Sequence, residues 1–336
     1  MSRLPKVNEL GFFEIRLESI GGLGANLAGK MLSEDGVVGN GLNGVGFSSY
    51  GSEKKGSPVK AYIRFCDPET NIRDTTPIER PHVVGIFHDA LLKTIDCASG
   101  VYPDSTILVN SQRSPDELRE LMKINGGTIA VVNATEIALE EQTKVNTAML
   151  GALYRILNFL DPDSMKDTIR RTFEKKYPHF VEPNIRTFDR GFHEVEFMTF
   201  APDEGSMPRP FKRHEPVLGY ETQPIGGTVI NPGNSILKDL SISRAGMLPH
   251  FHDDKCINCA ACDTACPDFC FVWEEKADKR GRPQMFLKGI DYQYCKGCLK
   301  CVQACPVEAL TEAREYNDGY ADRNRVPHLF DLAAQN

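Results

Sequence analysis

Cys256-Ile-Asn-Cys259-Ala-Ala-Cys262-Asp-Thr-Ala-Cys266-Pro267 is answered by Cys295-Lys-Gly-Cys298-Leu-Lys-Cys301-Val-Gln-Ala-Cys305-Pro306. The second string is the first shifted by 39 residues, from Cys256 to Cys295, at every cysteine and at the proline. A C-x2-C-x2-C-x3-C-P run is the bacterial spacing for paired [4Fe–4S] clusters. Iron–sulfur cores take soft thiolate ligands. Zinc sites usually pair two C-x2-C knuckles; here each run has three short intervals closed by Cys-Pro, and the run occurs twice.

A cubane needs four cysteines. In the two-cluster ferredoxin arrangement the fourth cysteine of each run serves the other cluster. The expected ligand sets are therefore Cys256, Cys259, Cys262 and Cys305 for one cluster, and Cys295, Cys298, Cys301 and Cys266 for the other. Between the runs, Cys270–Glu274 and Pro283–Leu287 flank a charged turn and read as a β-hairpin against the clusters. Cys270 falls where the repeat has Ala309, so it reads as a small core residue rather than a ninth ligand. Lys255, Lys296 and Lys300 stand beside ligands, where positive charge favours a reduced cluster; a solvated surface role is the alternative. His250 and His252 precede eight thiolates that already suffice, and read as solvated histidines.

The chain has 336 residues, 41% of them hydrophobic and 25% charged, which suits a globular protein of about two domains. The net charge of −7 carries no basic footprint of a nucleic-acid binder. No apolar run approaches the roughly 18 residues of a membrane span, and the first residues lack the apolar segment of a secretory signal. Eight of eleven cysteines fall in one repeated pattern, which in a chain without an export signal points to metal rather than bridges. A cytoplasmic location and an oxygen-sensitive, anaerobic setting are expected. Cys66 and Cys97 are isolated and read as buried structural thiols.

The first 200 residues alternate strand and helix signals. Phe12–Glu18 alternates apolar and polar, extended by Ile20; Gly21-Gly22-Leu23-Gly24 follows, then a helical pattern through Leu32. Pro58–Phe65, His82–His88, Thr106–Asn110 and Thr128–Val132 read as strands. Ala90–Ile95, a capped segment from Ser114, and residues 144–160 and 162–176 read as helices. Gly39–Ser57 is too poor in apolar residues for core and reads as a surface loop. This order predicts a Rossmann-like α/β domain with a mostly parallel sheet, followed by a small α+β two-cluster ferredoxin domain. The glycine loop places backbone N–H groups at a helix N-terminus, where an anion could sit. It is a broken dinucleotide fingerprint, with Leu27 in place of the third glycine and no acid near residue 42. A tight packing turn remains the alternative.

Gly21-Gly22-Leu23-Gly24, the Tyr50-Gly51…Lys54-Lys55-Gly56 loop before a strand, and Lys144–Ala152 together resemble the gamma-type domain of 2-oxoacid:ferredoxin oxidoreductases, the pyruvate enzyme among them. Gly233–Leu240 resembles the segment before the clusters in the family's delta-type subunit. The resemblance implies a fused gamma/delta subunit that passes electrons from 2-oxoacid decarboxylation, pyruvate first, through two [4Fe–4S] clusters to ferredoxin. It implies alpha- and beta-type partner subunits carrying thiamine diphosphate and magnesium. The nearest string here to that cofactor's Gly-Asp-Gly motif is Glu34-Asp35-Gly36, which lacks the first glycine, so no catalytic residue is expected in this chain. The resemblance also points to coenzyme A near Gly22, Gly24, Lys54 and Lys55, which otherwise read as interface loops. Leu23 and the Lys55–Ser57 region depart from the family's usual residues.

The expected divisions are a gamma-type α/β domain over 1–200, a linker or arm over 201–249 that runs over another subunit or acts as a flexible tether, a dicluster domain over 250–314, and a C-terminal arm over 315–336. Oxalate or another 2-oxoacid is the alternative substrate. An NAD(P)-linked reductase and a stand-alone electron carrier are the alternative functions.

Overall fold

The computed structural model describes residues 4–50, 57–202, 207–212, 224–227, 239–278, 280–315 and 319–328. The chain divides into two units, Met1–Arg213 and His214–Asn336. In the first, β1 (Phe13–Ile20), β2 (Asn43–Tyr50), β3 (Pro58–Cys66), β4 (Val83–Ile86), β5 (Thr106–Asn110), β6 (Gly127–Val132) and β7 (Glu196–Phe200) form one sheet. Its order is β2-β3-β1-β4-β5-β6-β7. β1, β4, β5 and β6 run parallel; β3 and β7 run antiparallel to them, and β2 pairs antiparallel with β3 at the edge. Helices α1 (Ala25–Val38), α2 (Pro115–Met122), α3 (Ala134–Glu140), α4 (Val145–Ile156), α5 (Pro162–Phe173) and α6 (Val181–His193) accompany it. The α/β expectation holds, with the parallel strands gathered at the centre.

Local chemistry explains where several helices start. Ser114 accepts from the Glu117 N–H while Glu117 accepts from the Ser114 N–H, with Pro115 in the first turn; such a box is worth about 1 kcal/mol. Asp161 caps α5 by accepting from the Asp163 N–H, with Pro162 in the first turn. α4 and α6 pack closely because Gly151 and Gly191 face each other's backbones. A Cβ at Gly151 would stand 2.0 Å from the Phe188 carbonyl oxygen, and one at Gly191 2.0 Å from that of Ala148.

β1 is buried on both faces. Its apolar side chains enter the core, but its polar alternates do not meet solvent. Arg16, 1% exposed, pairs with Glu18 at 2.9 Å and donates to the carbonyls of Ile78, Cys97 and Ser99. Glu14 pairs with Arg64 of β3 at 2.7 Å. Cys66 and Cys97 are buried, as expected, and burial pushes both thiols up. The expected surface loop Gly39–Ser57 is corrected over Asn43–Tyr50, which is β2. Glycine and serine hide its strand character, and full register with β3 supplies the hydrogen bonds that apolar alternation would have advertised. The expected helix at Ala90–Ile95 is a short 3-10 turn, Asp89–Lys93.

The second unit repeats one small motif. β8 (Met247–Phe251), α7 (Ala261–Ala265) and β9 (Phe271–Ala277) are followed by β10 (Pro283–Ile290), α8 (Lys300–Ala304) and β11 (Leu310–Arg314), with α9 (Tyr320–Arg323) last. β9 pairs antiparallel with β10, as the expected hairpin requires, and β8 with β11. The 39-residue shift carries one pairing onto the other: Phe251 faces Leu310, and Phe271 faces Ile290. β8 starts inside the segment read as a linker. Gly233–Lys238 lies outside the described residues. No helix among the described residues is long and apolar enough to cross a membrane.

Candidate functional site

Each cysteine run folds by the same backbone recipe. Asn258, Ala260 and Phe269 have φ of 55°, 60° and 49°; their repeat partners Gly297, Leu299 and Glu308 have 67°, 59° and 54°. These left-handed turns, rare outside glycine, fold the chain back so that the first three cysteines of each run line one cavity. α7 and α8 then follow, each five residues long and each ended by the Cys-Pro pair.

The structure brings Cys256, Cys259, Cys262 and Cys305 around one cavity. It brings Cys266, Cys295, Cys298 and Cys301 around another. Each set takes three cysteines from one run and the fourth from the other run. Cys259 and Cys298 are exposed and the other six are buried or half-buried. The Asn258 N–H points at the Cys256 sulfur at 3.5 Å, and the Ala309 N–H donates to the Cys305 sulfur at 3.2 Å. Burial pushes the Cys262 and Cys301 thiols up to about 12. Among the described residues no three Cys, His, Asp or Glu side chains converge tightly enough for a single ion. The sulfurs surround a space rather than a point, and all-sulfur donor sets of four fit a polyatomic iron–sulfur core.

Around the second set stand charged and polar groups, among them Arg244, which no motif in the sequence singles out. Arg244, 3% exposed, donates from Nε to the Cys295 carbonyl at 2.8 Å and from Nη2 to the Tyr292 carbonyl, and pairs with Glu315 at 2.6 Å. It lies in a stretch with no periodicity, so no sequence signal marked it. Lys296 is held by Asp268 at 3.0 Å, which offsets its charge; Lys255 and Lys300 are exposed. Cys270 is 3% exposed, as its core reading requires, yet its sulfur lies 3.5 Å from that of Cys266. The break in the repeat at Ala309 was the one available signal for it. His250 and His252 stack at 4.4 Å, with His252 against the Thr311 hydroxyl and His250 against Tyr320. They are packed on β11 and α9 rather than free in solvent. Burial, with His252 beside it, holds His250 below the usual histidine range.

In the first unit Gly22 is exposed at the carboxyl end of β1, and Gly24 begins α1 in the left-handed conformation with φ 83°. No side chain caps α1. A Cβ on Gly24 would meet the Asn146 side chain at 3.0 Å, so this glycine lets α1 pack on α4. Lys54 and Lys55 lie outside the described residues.

Residues 14–194 match the family model described as pyruvate ferredoxin/flavodoxin oxidoreductase, and residues 255–309 match the 4Fe-4S dicluster domain. The chain is 34% identical over 188 residues to the pyruvate synthase subunit PorC of Thermotoga maritima, covering 55% of this chain and 95% of that one. It is 35% identical over 185 residues to the pyruvate/ketoisovalerate oxidoreductases common subunit gamma of Pyrococcus abyssi, covering 54% and 97%. The crystal structure of the Thermotoga maritima pyruvate oxidoreductase subunit PORC aligns with 56% of this chain and 98% of its own, at 31% identity and a TM-score of 0.49.

Proposed function

This chain belongs to the pyruvate ferredoxin/flavodoxin oxidoreductase family, as a gamma-type subunit with a dicluster domain on the same polypeptide, and from that premise we propose that it is the electron conduit of a 2-oxoacid:ferredoxin oxidoreductase. The observation that carries this reading is the crossed pair of four-cysteine pockets. Cys256, Cys259, Cys262 and Cys305 would hold one [4Fe–4S] cluster, and Cys266, Cys295, Cys298 and Cys301 the other. Bound there, each cluster supplies a one-electron carrier.

Oxidative decarboxylation of a 2-oxoacid releases CO2 and two electrons, which must leave singly. This chain supplies two adjacent carriers, and the crossed ligands fix their separation. The carbon chemistry belongs to alpha- and beta-type partner subunits with thiamine diphosphate and magnesium, and ferredoxin is the external acceptor. Pyruvate is the proposed substrate because the similar Thermotoga maritima protein is a pyruvate synthase subunit. The Pyrococcus abyssi relative is common to pyruvate and ketoisovalerate enzymes, which supports reading the substrate pocket as a property of the partners. Coenzyme A is the proposed acyl acceptor. The exposed Gly22 and the uncapped start of α1 support a contact with its phosphates at Gly22 and Gly24, with Lys54 and Lys55 completing it.

The test is anaerobic purification of the native complex, followed by dye reduction with pyruvate, 2-ketoisovalerate, oxalate and other 2-oxoacids, with and without coenzyme A. Reduction that needs pyruvate and coenzyme A is expected. A complex that reduces dye with no 2-oxoacid overturns the assignment. Cluster bleaching by NADH in the isolated chain would establish the nicotinamide-linked reading in its place.

A further inference from the structure

The 39-residue repeat makes each cysteine set an internal control for the other. The first cavity is walled by Ile257, Val307 and Ala309. At the same three repeat positions the second cavity has Lys296, Asp268 and Cys270. The guanidinium of Arg244 also reaches the Cys295 carbonyl of the second set, and the repeat places Pro283 at the corresponding position. Beside its cysteines the first pocket has Asn258 as its one polar side chain, whereas the second is lined by the Lys296–Asp268 ion pair and a thiol, with Arg244 behind the Cys295 carbonyl.

We infer that the cluster at Cys266, Cys295, Cys298 and Cys301 is the more easily reduced of the two, and that Cys270 and Arg244 are the residues that set its potential. Reduction adds negative charge to a cluster. An apolar wall leaves that charge unsolvated, whereas a hydrogen-bond donor or a positive group against the sulfurs stabilises it. The Cys270 sulfur lies 3.5 Å from the Cys266 sulfur, within S–H···S reach; with Cys266 a ligand thiolate, Cys270 is the donor, and it serves a ligand of this cluster alone. Arg244 turns two of its donor nitrogens toward the ligand loop at Tyr292 and Cys295, and the third toward Glu315. The positive end of that pair faces the loop that carries Cys295. The Lys296–Asp268 pair, at 3.0 Å, adds polarity with its charges offset. Electrons then run downhill from the Cys256 set to the Cys295 set, and leave past the exposed Cys298.

The proposal rests on reading the two sets as cluster ligands, and iron content separates the two ideas: about eight irons per chain is required before the potentials mean anything. The experiment is a redox titration of the full, cluster-loaded chain followed by electron paramagnetic resonance. Parent protein is expected to show two one-electron waves. Cys270→Ala copies the residue that the repeat already tolerates at Ala309. It should lower the upper wave alone, cutting the reduced-to-oxidised ratio at the parent midpoint about threefold to tenfold; tenfold is about 59 mV for one electron. Cys270→Ser keeps a donor and should hold the upper wave within that shift. Ala309→Cys installs the thiol beside the other set and should raise the lower wave. The inference is overturned if Cys270→Ala leaves both waves in place or moves the lower one. It is equally overturned if that variant loses iron, which would make Cys270 a ligand.

Discussion

Ile15, Leu17, Ile63 and Phe65 are wholly buried at the centre of the first unit's sheet, packed by chain alone. The buried group of the second unit is Leu248, Phe271, Leu287, Ile290, Tyr292 and Leu310, with four cysteines among them: Cys262, Cys270, Cys295 and Cys301. Three of those four line the pockets as proposed ligands, so the second core is finished only by what the sulfurs bind. A small unit with so few apolar side chains has little to hold it otherwise. Stripping iron with an anaerobic chelator should therefore unfold the second unit and spare the first. Trp273, the chain's one tryptophan, lines the first cysteine cavity. Its fluorescence should rise and move to longer wavelength as the quenching clusters leave. Amide exchange in β1 and α4 should stay slow. Loss of protection in both units together would show that the first unit also depends on metal.

The next largest effect lies within the second unit. Cys305 is distant in sequence from Cys256, Cys259 and Cys262, yet lines their cavity. Cys305→Ala should perturb the cluster at Cys256 and lower iron from about eight to about four per chain, with the other cluster's resonance signal retained. A first loss at the set containing Cys301 would mean that the runs are not crossed.

The two units also differ in how much of them a reader of the sequence could recover. In the second unit a repeat of eight cysteines and two prolines encoded both pockets, and β9 with β10 was legible as a hairpin. The pairing of β8 with β11 was not, because Met247–Phe251 follows a turn-rich stretch and its partner lies some sixty residues further along the chain. Arg244 was invisible for the same reason: its role comes from where the chain returns, not from its neighbours. In the first unit the parallel strands announced themselves by β-branched runs such as Thr106–Asn110. β2 and β7 did not. β2 is glycine- and serine-rich, and β7 is an exposed edge strand whose order comes from its partner β6. Alternation in β1 suggested one wet face, but Glu14, Arg16 and Glu18 are buried among ion pairs and carbonyls. Pattern reports side-chain polarity; it does not report what lands on top.

A third test acts on the first unit alone. Gly151→Ala drives a Cβ to 2.0 Å from the Phe188 carbonyl oxygen and 2.8 Å from the Phe192 nitrogen. Backbone atoms cannot swing aside as a side-chain tip can, so α4 and α6 must separate. A loss of about 3 kcal/mol in the first unit's unfolding free energy is expected, read as a lower urea midpoint for amide protection in α4. The visible absorbance of the clusters should not change before that midpoint. A variant as stable as the parent would mean that the helices are not packed this closely.

The smallest effect separates the units by pH. His82 is 7% exposed between Phe13 and Tyr102, its Nδ1 accepts from the Glu14 N–H at 3.0 Å, and its Nε2 has no hydrogen-bond partner among the described residues. Burial, helped by the Lys6 charge, lowers its pKa to about 4. Unfolded, the same ring takes a proton near 6.5. Between those values the unfolded chain binds more protons than the folded one, so stability from this group is complete above about pH 6.5 and is lost as pH falls toward 4. At pH 5.5 the loss is about 1.4 kcal/mol. His82→Asn keeps an acceptor for the Glu14 N–H but cannot titrate. It should flatten that part of the pH dependence of first-unit unfolding, whatever it does to stability at pH 7.5. Glu14 is also shifted, upward by burial, and its slope has the opposite sign, so the difference between parent and variant isolates the histidine. An unchanged slope in the variant would place the acid sensitivity of the first unit elsewhere than at His82.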